Sequence, residues 1–513
     1  MLLLITLQGP LIHRHFQAIL KDFNQLNVPL ARFPRQIFWN MATLIDLPTD
    51  IAHLLFCRLG IPDVLNMRQT CKNMHSISQS RVVWQFLLTS LAKQQRPIPR
   101  LFDRSFDSLS PAELEHLTRK AWNLRQNWMT KSPVVKKTLI IQLEPLPNQG
   151  GLPPTFEFME KTGKRHILTL MMKGPMPEGF LYDLQCWDLD VSPPRCIAQR
   201  EVGSRYLTVN KSLDSLASLV VQSPSIEFLG IDYSAEDPVS GFYTVSKLQN
   251  ITQRPVALND SFLVTQNDQS QLYLVQLQKN NDDHIELRSI FEVMIQNEVV
   301  IVIRRRILEI FSVGDINTSQ MLIYPIAQHV FQWDIDSVSI SPQTTWPQCL
   351  EHRYPTINLL VRFGSLLPWP VNLLHHFVLL PNPGFDGELH PSSNNLPYSD
   401  TPIVKRTISS PVRLFSKYHM ALGSRGTAIF IDSHTEDYFH RGDVGQRLAG
   451  SYARDVSSVE NDVEDSTEVE STMDSSVFGY RENDDWTRVA IDEEEGRIAL
   501  GFLDGTIEIR EYA

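Results

Sequence analysis

Cysteine is scarce in this 513-residue chain and poorly placed for its usual structural uses. The five cysteines are Cys57, Cys71, Cys186, Cys196 and Cys349. An odd count with no CxxC pair does not fit the even, regular set of a secreted disulfide framework, nor the close Cys/His spacing of a zinc site. Reduced thiols in the cytoplasm or nucleus are expected. Long apolar runs are also missing. No stretch reaches the ~18–20 residues of a membrane-spanning helix. The apolar start from Met1 to Leu7 lacks the basic flank, the length and the cleavage site of a signal peptide. No membrane partner is expected, and residues 1–40 read as a poorly defined N-terminal extension. Clustered positive charge is absent as well: net charge is -11, and only Arg304-Arg305-Arg306 stands out, inside a strand-like run. A surface that tracks phosphates needs grouped Lys and Arg, so nucleic acid is not an expected partner. Glycine, at 23 residues, is outnumbered by 32 prolines, which implies many punctuated loops between short elements.

Catalytic signatures are missing too. The chain has no G-x-G-x-x-G, no Walker-type loop, no G-x-S-x-G and no H-E-x-x-H. His375-His376 sits beside Leu373, Leu374 and Phe377 and reads as part of a strand. His434, Glu436, Asp437 and His440 are close in sequence, but acid/His clusters are common in loops, and no metal is expected there. No cofactor and no enzymatic activity are expected.

What is present begins at residues 44–91. Leu47-Pro48-Thr49-Asp50 opens a helix, with Pro48 suited to the first position and Asp50 to the first turn. Leu47, Ile51, Leu54, Leu55 and Leu59 recur at the helical period, and Gly60 is expected to stop the helix. Ile61-Pro62-Asp63 starts a second helix carrying Leu65 and Met67. A third runs from about Cys71 to Ser78, and the run from Arg81 to Leu88 is apolar on nearly every side. So short a unit has little interior, and apolar surface in excess of a core marks an interface.

The string from Leu47 to Trp84, LPTDIAHLLFCRLGIPDVLNMRQTCKNMHSISQSRVVW, resembles the F-box family: Leu-Pro, then Ile and Leu-Leu, a small turn, Asp-Val-Leu, Arg, Cys with Lys after it, and a closing Trp. Thr49 stands where the family often has Glu. The resemblance implies a three-helix module that docks on a Skp-type adaptor and, through it, a cullin. It assigns Leu47, Pro48, Ile51, Leu54, Leu55, Leu59, Ile61, Leu65, Met67 and Trp84 to the adaptor-binding surface or its immediate support.

Residues 92–135 read as linker helices. Ser110-Pro111-Ala112-Glu113 is a capping box, followed by Leu114, Leu117, Ala121, Leu124 and Trp128 on one face, a face expected to pack on the next domain. A similar helix follows the F-box in a group of fungal F-box proteins. From residue 136 to 513 the period changes to short strands split by turns. Seven strand pairs stand near 166–189, 214–232, 261–278, 297–313, 356–380, 419–431 and 497–510, the last turning at Asp504-Gly505. An all-β propeller of about seven blades, divergent and WD-like, accounts for them, because radial repetition protects strand edges. Ala421-Leu422-Gly423 and Ala499-Leu500-Gly501 hint at an internal repeat. Trp187-Asp188 and Trp333-Asp334 match the dipeptide of WD repeats. A strand at 137–143 is expected to clasp the last blade. Residues 454–476 are acidic and Ser/Thr-rich and read as a disordered insert, with Ser457, Thr467 and Ser471 each followed three positions on by an acid.

The combined reading is a substrate receptor of a Skp–cullin–F-box ubiquitin ligase, with adaptor on the F-box and an unknown protein substrate on the propeller. The alternatives are a propeller scaffold outside any ligase and, less well supported, a propeller hydrolase or sugar-binding protein.

Overall fold

The computed structural model describes residues 48–513 apart from 95, 102–104, 145–152, 160–164, 177–178, 211, 213–214, 224, 250–252, 270, 278–289, 314–323, 344–352, 365–372, 410–416, 434–444, 453–470 and 473–474. The chain divides into two compact units, Met1–Val83 and Trp84–Ala513.

In the first unit, α1 (Thr49–Arg58) has Pro48 as N-cap and Asp50 in its first turn. Gly60 is not the left-handed stop expected of it. Its backbone is extended, with φ -69° and ψ 157°, and it caps the N-terminus of α2 (Ile61–Arg68), whose Pro62 takes an early helical position. The glycine is a joint between two helices, and Leu59 at ψ 152° ends the first. Cys71 caps α3 (Lys72–Ser78). Arg68, at the end of α2, donates from Nε to Ser78 Oγ at 2.9 Å and from Nη2 to the Ser78 carbonyl at 3.1 Å, which fixes the ends of α2 and α3 to each other. Ala52, Phe56, Ile61, Val64, Met74 and Ile77 are buried. α4 (Arg81–Lys93) runs across the boundary between the units.

The second unit is built of strands. β1 (Lys137–Gln142) is followed by a four-stranded sheet of β2 (Thr155–Met159), β3 (His166–Met176), β4 (Gly179–Asp188) and β5 (Arg195–Val202). The second sheet has β6 (Leu207–Val209), β7 (Leu219–Ser223), β8 (Ser225–Ile231) and β9 (Phe242–Leu248). The third shows β10 (Arg254–Leu258), β11 (Phe262–Gln266) and β12 (Leu272–Gln276). The fourth has β13 (Ile290–Gln296), β14 (Val299–Arg304), β15 (Ile307–Ser312) and β16 (Ala327–Val330). The fifth has β17 (Ile335–Pro342), β18 (Ile357–Phe363), β19 (Leu373–Leu379) and β20 (Ile403–Ser409). The sixth has β21 (Met420–Leu422), β22 (Ala428–Ser433), β23 (Gln446–Ser451) and β25 (Ser476–Arg481), while β24 (Ser471–Thr472), between the last two, adds in parallel to β20 of the fifth. The seventh has β26 (Trp486–Asp492), β27 (Arg497–Phe502) and β28 (Thr506–Glu511), completed by β1.

These seven sheets are the blades of a propeller. The first strands neighbour one another in turn from β6 through β10, β13, β17 and β21 to β26, and β2 lies against β26. Among the described residues, seven apolar clusters fill the spaces between blades, each shared by two neighbours. This explains why the strands read as continuous apolar runs. On β14, Val299, Ile301 and Ile303 face the fifth blade and Val300 and Val302 face the third, so the period of two is present but both faces are covered. The ring closes where Leu139 and Ile141 of β1, with Ile507 and Ile509 of β28, pack on Phe156 and Ile167 of the first blade. β1 pairs antiparallel with β28 from Lys137↔Glu511 to Gln142↔Thr506, which is the clasp expected from the sequence. Gly505, at φ +86°, makes the turn before β28.

Two expected repeats dissolve. Ala421-Leu422 lies on β21, the first strand of its blade, whereas Ala499-Leu500 lies on β27, the second strand of its own. The shared text reflects the same demand for small and apolar residues. Trp187-Asp188 ends β4, while Trp333-Asp334 lies in the connection from β16 to β17, with Trp333 exposed. The acidic insert lies largely outside the described residues.

α5 (Pro111–Trp128) carries the expected capping box: Ser110 Oγ accepts from Glu113 N, and Glu113 Oε2 accepts from Ser110 N at 2.8 Å. Leu114, Thr118, Ala121, Leu124 and Trp128 are buried. Thr118 replaces the expected Leu117 on that face, its hydroxyl satisfied by the Leu114 carbonyl at 2.6 Å. Leu124 and Trp128 join the cluster between the sixth and seventh blades. Trp128 meets Tyr452, Phe478 and Tyr512 edge-on at centroid distances of 6.4, 6.1 and 6.2 Å. Lys120 Nζ reaches Glu495 at 2.6 Å, and Arg100 reaches Glu494 at 3.1 Å. The linker is thus part of the propeller unit. Among the described residues no helix is long and apolar enough to cross a membrane.

Candidate adaptor-binding face

The ten residues singled out by the sequence separate into three groups. Leu47 lies outside the described residues. Pro48 is exposed, as are Ile51 at 37% and Leu54 at 52%. Leu55, Leu59, Leu65 and Met67 are half-buried. Ile61 and Trp84 are buried: Ile61 as interior of its helical segment, Trp84 on the inward side of α4.

α1 carries two apolar stripes. Ala52 and Phe56, four residues apart, point inward and are fully buried. Ile51, Leu54, Leu55 and Leu59 lie on the other stripe, which ranges from half-buried to open. An inward stripe already satisfies the helix, so the outer one is surplus to the core. Leaving such side chains in water forgoes roughly 25 cal/mol per Å² of apolar surface. On a helix of only ten residues, this concentration is what a docking face requires.

α4 repeats the arrangement. Val83, Trp84, Leu87 and Leu88 are buried, whereas Val82 and Phe86, four apart, are 54% and 46% exposed. Sequence reasoning did not assign Val82 or Phe86 to the surface. The available signal was Gln85 beside Phe86, which marks a polar side, but an almost wholly apolar run does not declare which stripe faces out.

No feature of these helices points to covalent chemistry. Burial pushes the Cys57 thiol above its ordinary value, the reverse of an activated nucleophile. In the propeller, His376 is a core residue. Its Nδ1 accepts from Arg406 Nε at 3.2 Å, its Nε2 lies 3.0 Å from Asn358 Oδ1, and burial holds it well below the usual histidine range. His434, Glu436, Asp437 and His440 lie outside the described residues.

The F-box domain family model matches residues 44–86. No curated protein matches the chain. Among solved structures, a humanized mutant of the Chaetomium thermophilum Polycomb Repressive Complex 2 bound to the inhibitor GSK343 is similar at 8% identity, covering 75% of this chain and 98% of that one with a TM-score of 0.42. A likeness of that size carries no argument about function.

Proposed function

We propose that this chain, an F-box domain followed by a seven-bladed propeller, is the substrate-recognition subunit of a Skp–cullin–F-box ubiquitin ligase. The F-box binds the adaptor, and the propeller holds the protein to be modified. The observation that carries the reading is the outward stripe of α1, with Ile51 and Leu54 open to water inside the segment that matches the F-box family. Leu47, Pro48, Leu55, Leu59, Leu65 and Met67 would extend or border that face, and Ile61 and Trp84 would support it from within. Such a receptor performs no chemistry of its own. It raises the effective concentration of substrate lysines near the conjugating enzyme.

The test is capture of the full chain by a purified Skp-type adaptor, wild type against Ile51→Asp/Leu54→Asp. Two carboxylates placed in an apolar interface are expected to abolish capture, while both exposed positions leave folding intact. Failure of the folded wild-type chain to bind moves the protein to the scaffold reading.

A further inference from the structure

A cavity of about 490 Å³ lies in the propeller unit, walled by the first strands of five blades, β2, β6, β10, β13 and β26. Its charged lining among the described residues is three arginines, Arg205, Arg254 and Arg488, against two glutamates, Glu157 and Glu292. Aromatic rings are interleaved with the guanidinium groups. Arg205 and Arg254 stand over the Tyr206 ring at 5.2 and 5.5 Å from its centroid. Both have partners: Arg205 reaches the Tyr206 hydroxyl at 3.3 Å, and Arg254 Nε donates to Gln266 Oε1 at 2.8 Å.

Arg488 differs. Its guanidinium lies 4.7 Å from the centroid of Tyr418 and 5.7 Å from that of Phe156. Among the described residues it has neither a hydrogen bond nor an ion pair. The contrast with other arginines of the propeller is plain. Arg406 donates to Ser451 Oγ, the Tyr452 carbonyl and the Gly426 carbonyl. Arg447 donates from two nitrogens to Asp432, at 2.9 and 2.7 Å. The Arg488 side chain is half-buried; burial draws its pKa down, and the charges of Glu157 and Glu292, which also line the cavity, act against that shift. A half-buried guanidinium whose donors meet no acceptor among the described residues can take one from a ligand that enters the cavity. Its planar fork of donors is suited to an oxyanion.

We propose that this cavity is the propeller's recognition site and that it takes a peptide segment bearing one carboxylate, an Asp or Glu side chain, which Arg488 receives. Among the described residues of the lining, three positive against two negative groups leave a surplus of one charge, matched to a single carboxylate. A phosphoryl group at ~-1.5 to -2 would meet Glu157 and Glu292 with charge left over. The aromatic and proline lining suits an apolar residue beside the acid. The inference rests on the receptor reading, since the peptide stands for part of a recruited protein.

The experiment uses the full chain immobilised through its F-box on the Skp-type adaptor. It is presented with a bead library of 12-residue peptides whose central position is Glu, Asp, Gln, Asn, Ser or phosphoserine in neutral, mixed apolar contexts. Enrichment of Glu or Asp is expected. For a selected peptide, Glu→Gln is expected to weaken binding about tenfold or more, as loss of a charge-assisted pair does. Arg488→Gln is expected to equalise the Glu and Gln peptides, with adaptor capture and thermal melting unchanged. Arg205→Gln, at an exposed position that folding tolerates, is expected to lower affinity a few-fold and serves if Arg488→Gln fails to fold. Selection without acidic enrichment overturns the proposal, as does equal binding of the Glu peptide to wild type and Arg488→Gln. Selection of phosphoserine alone overturns the carboxylate assignment. Adaptor capture without acidic selection removes this site and leaves the receptor reading. Failure of adaptor capture, with acidic selection retained by chain immobilised through a tag, removes the receptor reading and leaves the site.

Discussion

On α1, Ile51 and Leu54 keep 37% and 52% of their surface in water, whereas Ile357, Leu359, Leu360 and Val361 on β18 keep none. Both segments are strongly apolar, and only their neighbours differ. A propeller strand lies between two other blades, so each alternate face finds a cover: Leu359 packs toward the fourth blade and Leu360 toward the sixth. A short helix in a small unit has one inward face, taken by Ala52 and Phe56. Its other apolar residues face out. The same chemical type therefore supplies stability in one region and, in the proposed receptor, a docking face in the other.

Removing residues 506–513 tests the closed side of that comparison most severely. It deletes β28 and strips β1 of its partner, and the truncated chain is expected to lose its cooperative thermal transition and to elute as aggregate. A truncated chain that melts as wild type does would show that the ring holds without its clasp. Trp128→Ala is the next largest change. It opens a void among three rings at a residue only 1% exposed, with an expected loss of about 3–5 kcal/mol by denaturant unfolding.

Glu493 sharpens the comparison, because the propeller unit also buries charge. Its carboxylate accepts from the backbone N–H groups of Arg425 at 2.7 Å and Thr427 at 3.2 Å. Burial and the adjacent Glu494 raise its pKa from 4.5 to about 7, and Asp492 is raised to about 6. An acid whose folded pKa is raised holds its proton more tightly folded than unfolded. Its contribution is therefore most favourable below the ordinary value and declines as pH rises through about 7. Glu493→Gln removes the ionisation, while its amide nitrogen, a donor, gives up one of the two backbone N–H bonds at every pH. Its melting temperature relative to wild type is expected to be more favourable at pH 8 than at pH 5; equal shifts at both would show that ionisation of Glu493 is not the cause. The smallest stability effect belongs to Leu54→Ala, within about 0.5 kcal/mol as for other surface changes, yet adaptor capture is expected to fall. A loss of several kcal/mol in a melt would mean that Leu54 serves a core and would erase the distinction.

Each of the seven strand pairs read from alternation and turn residues falls in a different blade, because hairpins are local: Asp504-Gly505 makes its turn whatever the rest of the chain does. The helix starts at Pro48 and Ser110 were equally legible, since caps act within one turn. Misreadings arose where meaning depended on distant contacts. Ala421-Leu422-Gly423 looked like a repeat of Ala499-Leu500-Gly501 but occupies a different strand of its blade. Ile61 and Trp84 were grouped with Leu54 as adaptor-binding surface or its immediate support, and which residue takes which part was not legible: Ile61 and Trp84 are buried, and Leu54 is exposed. Val82 and Phe86 went unassigned because a single Gln85 in an almost wholly apolar run does not settle which stripe faces out. Arg488, too, was invisible: Tyr418 and Phe156, the rings beside it, are 70 and 332 residues away in sequence.

The sequence by itself determined the elements: helices at the start, strand pairs afterwards, and the F-box pattern from Leu47 to Trp84. Those depend on periodicity, capping and turn chemistry, which act over a few residues. Tertiary packing alone sets which apolar stripe faces out, which strand closes the ring on β28, and that Arg488 stands beside two rings with no side-chain hydrogen bond or ion pair among the described residues. Periodicity tells that a helix or strand has faces; what covers each face is set by segments hundreds of residues away, and burial and charge pairing follow from that cover.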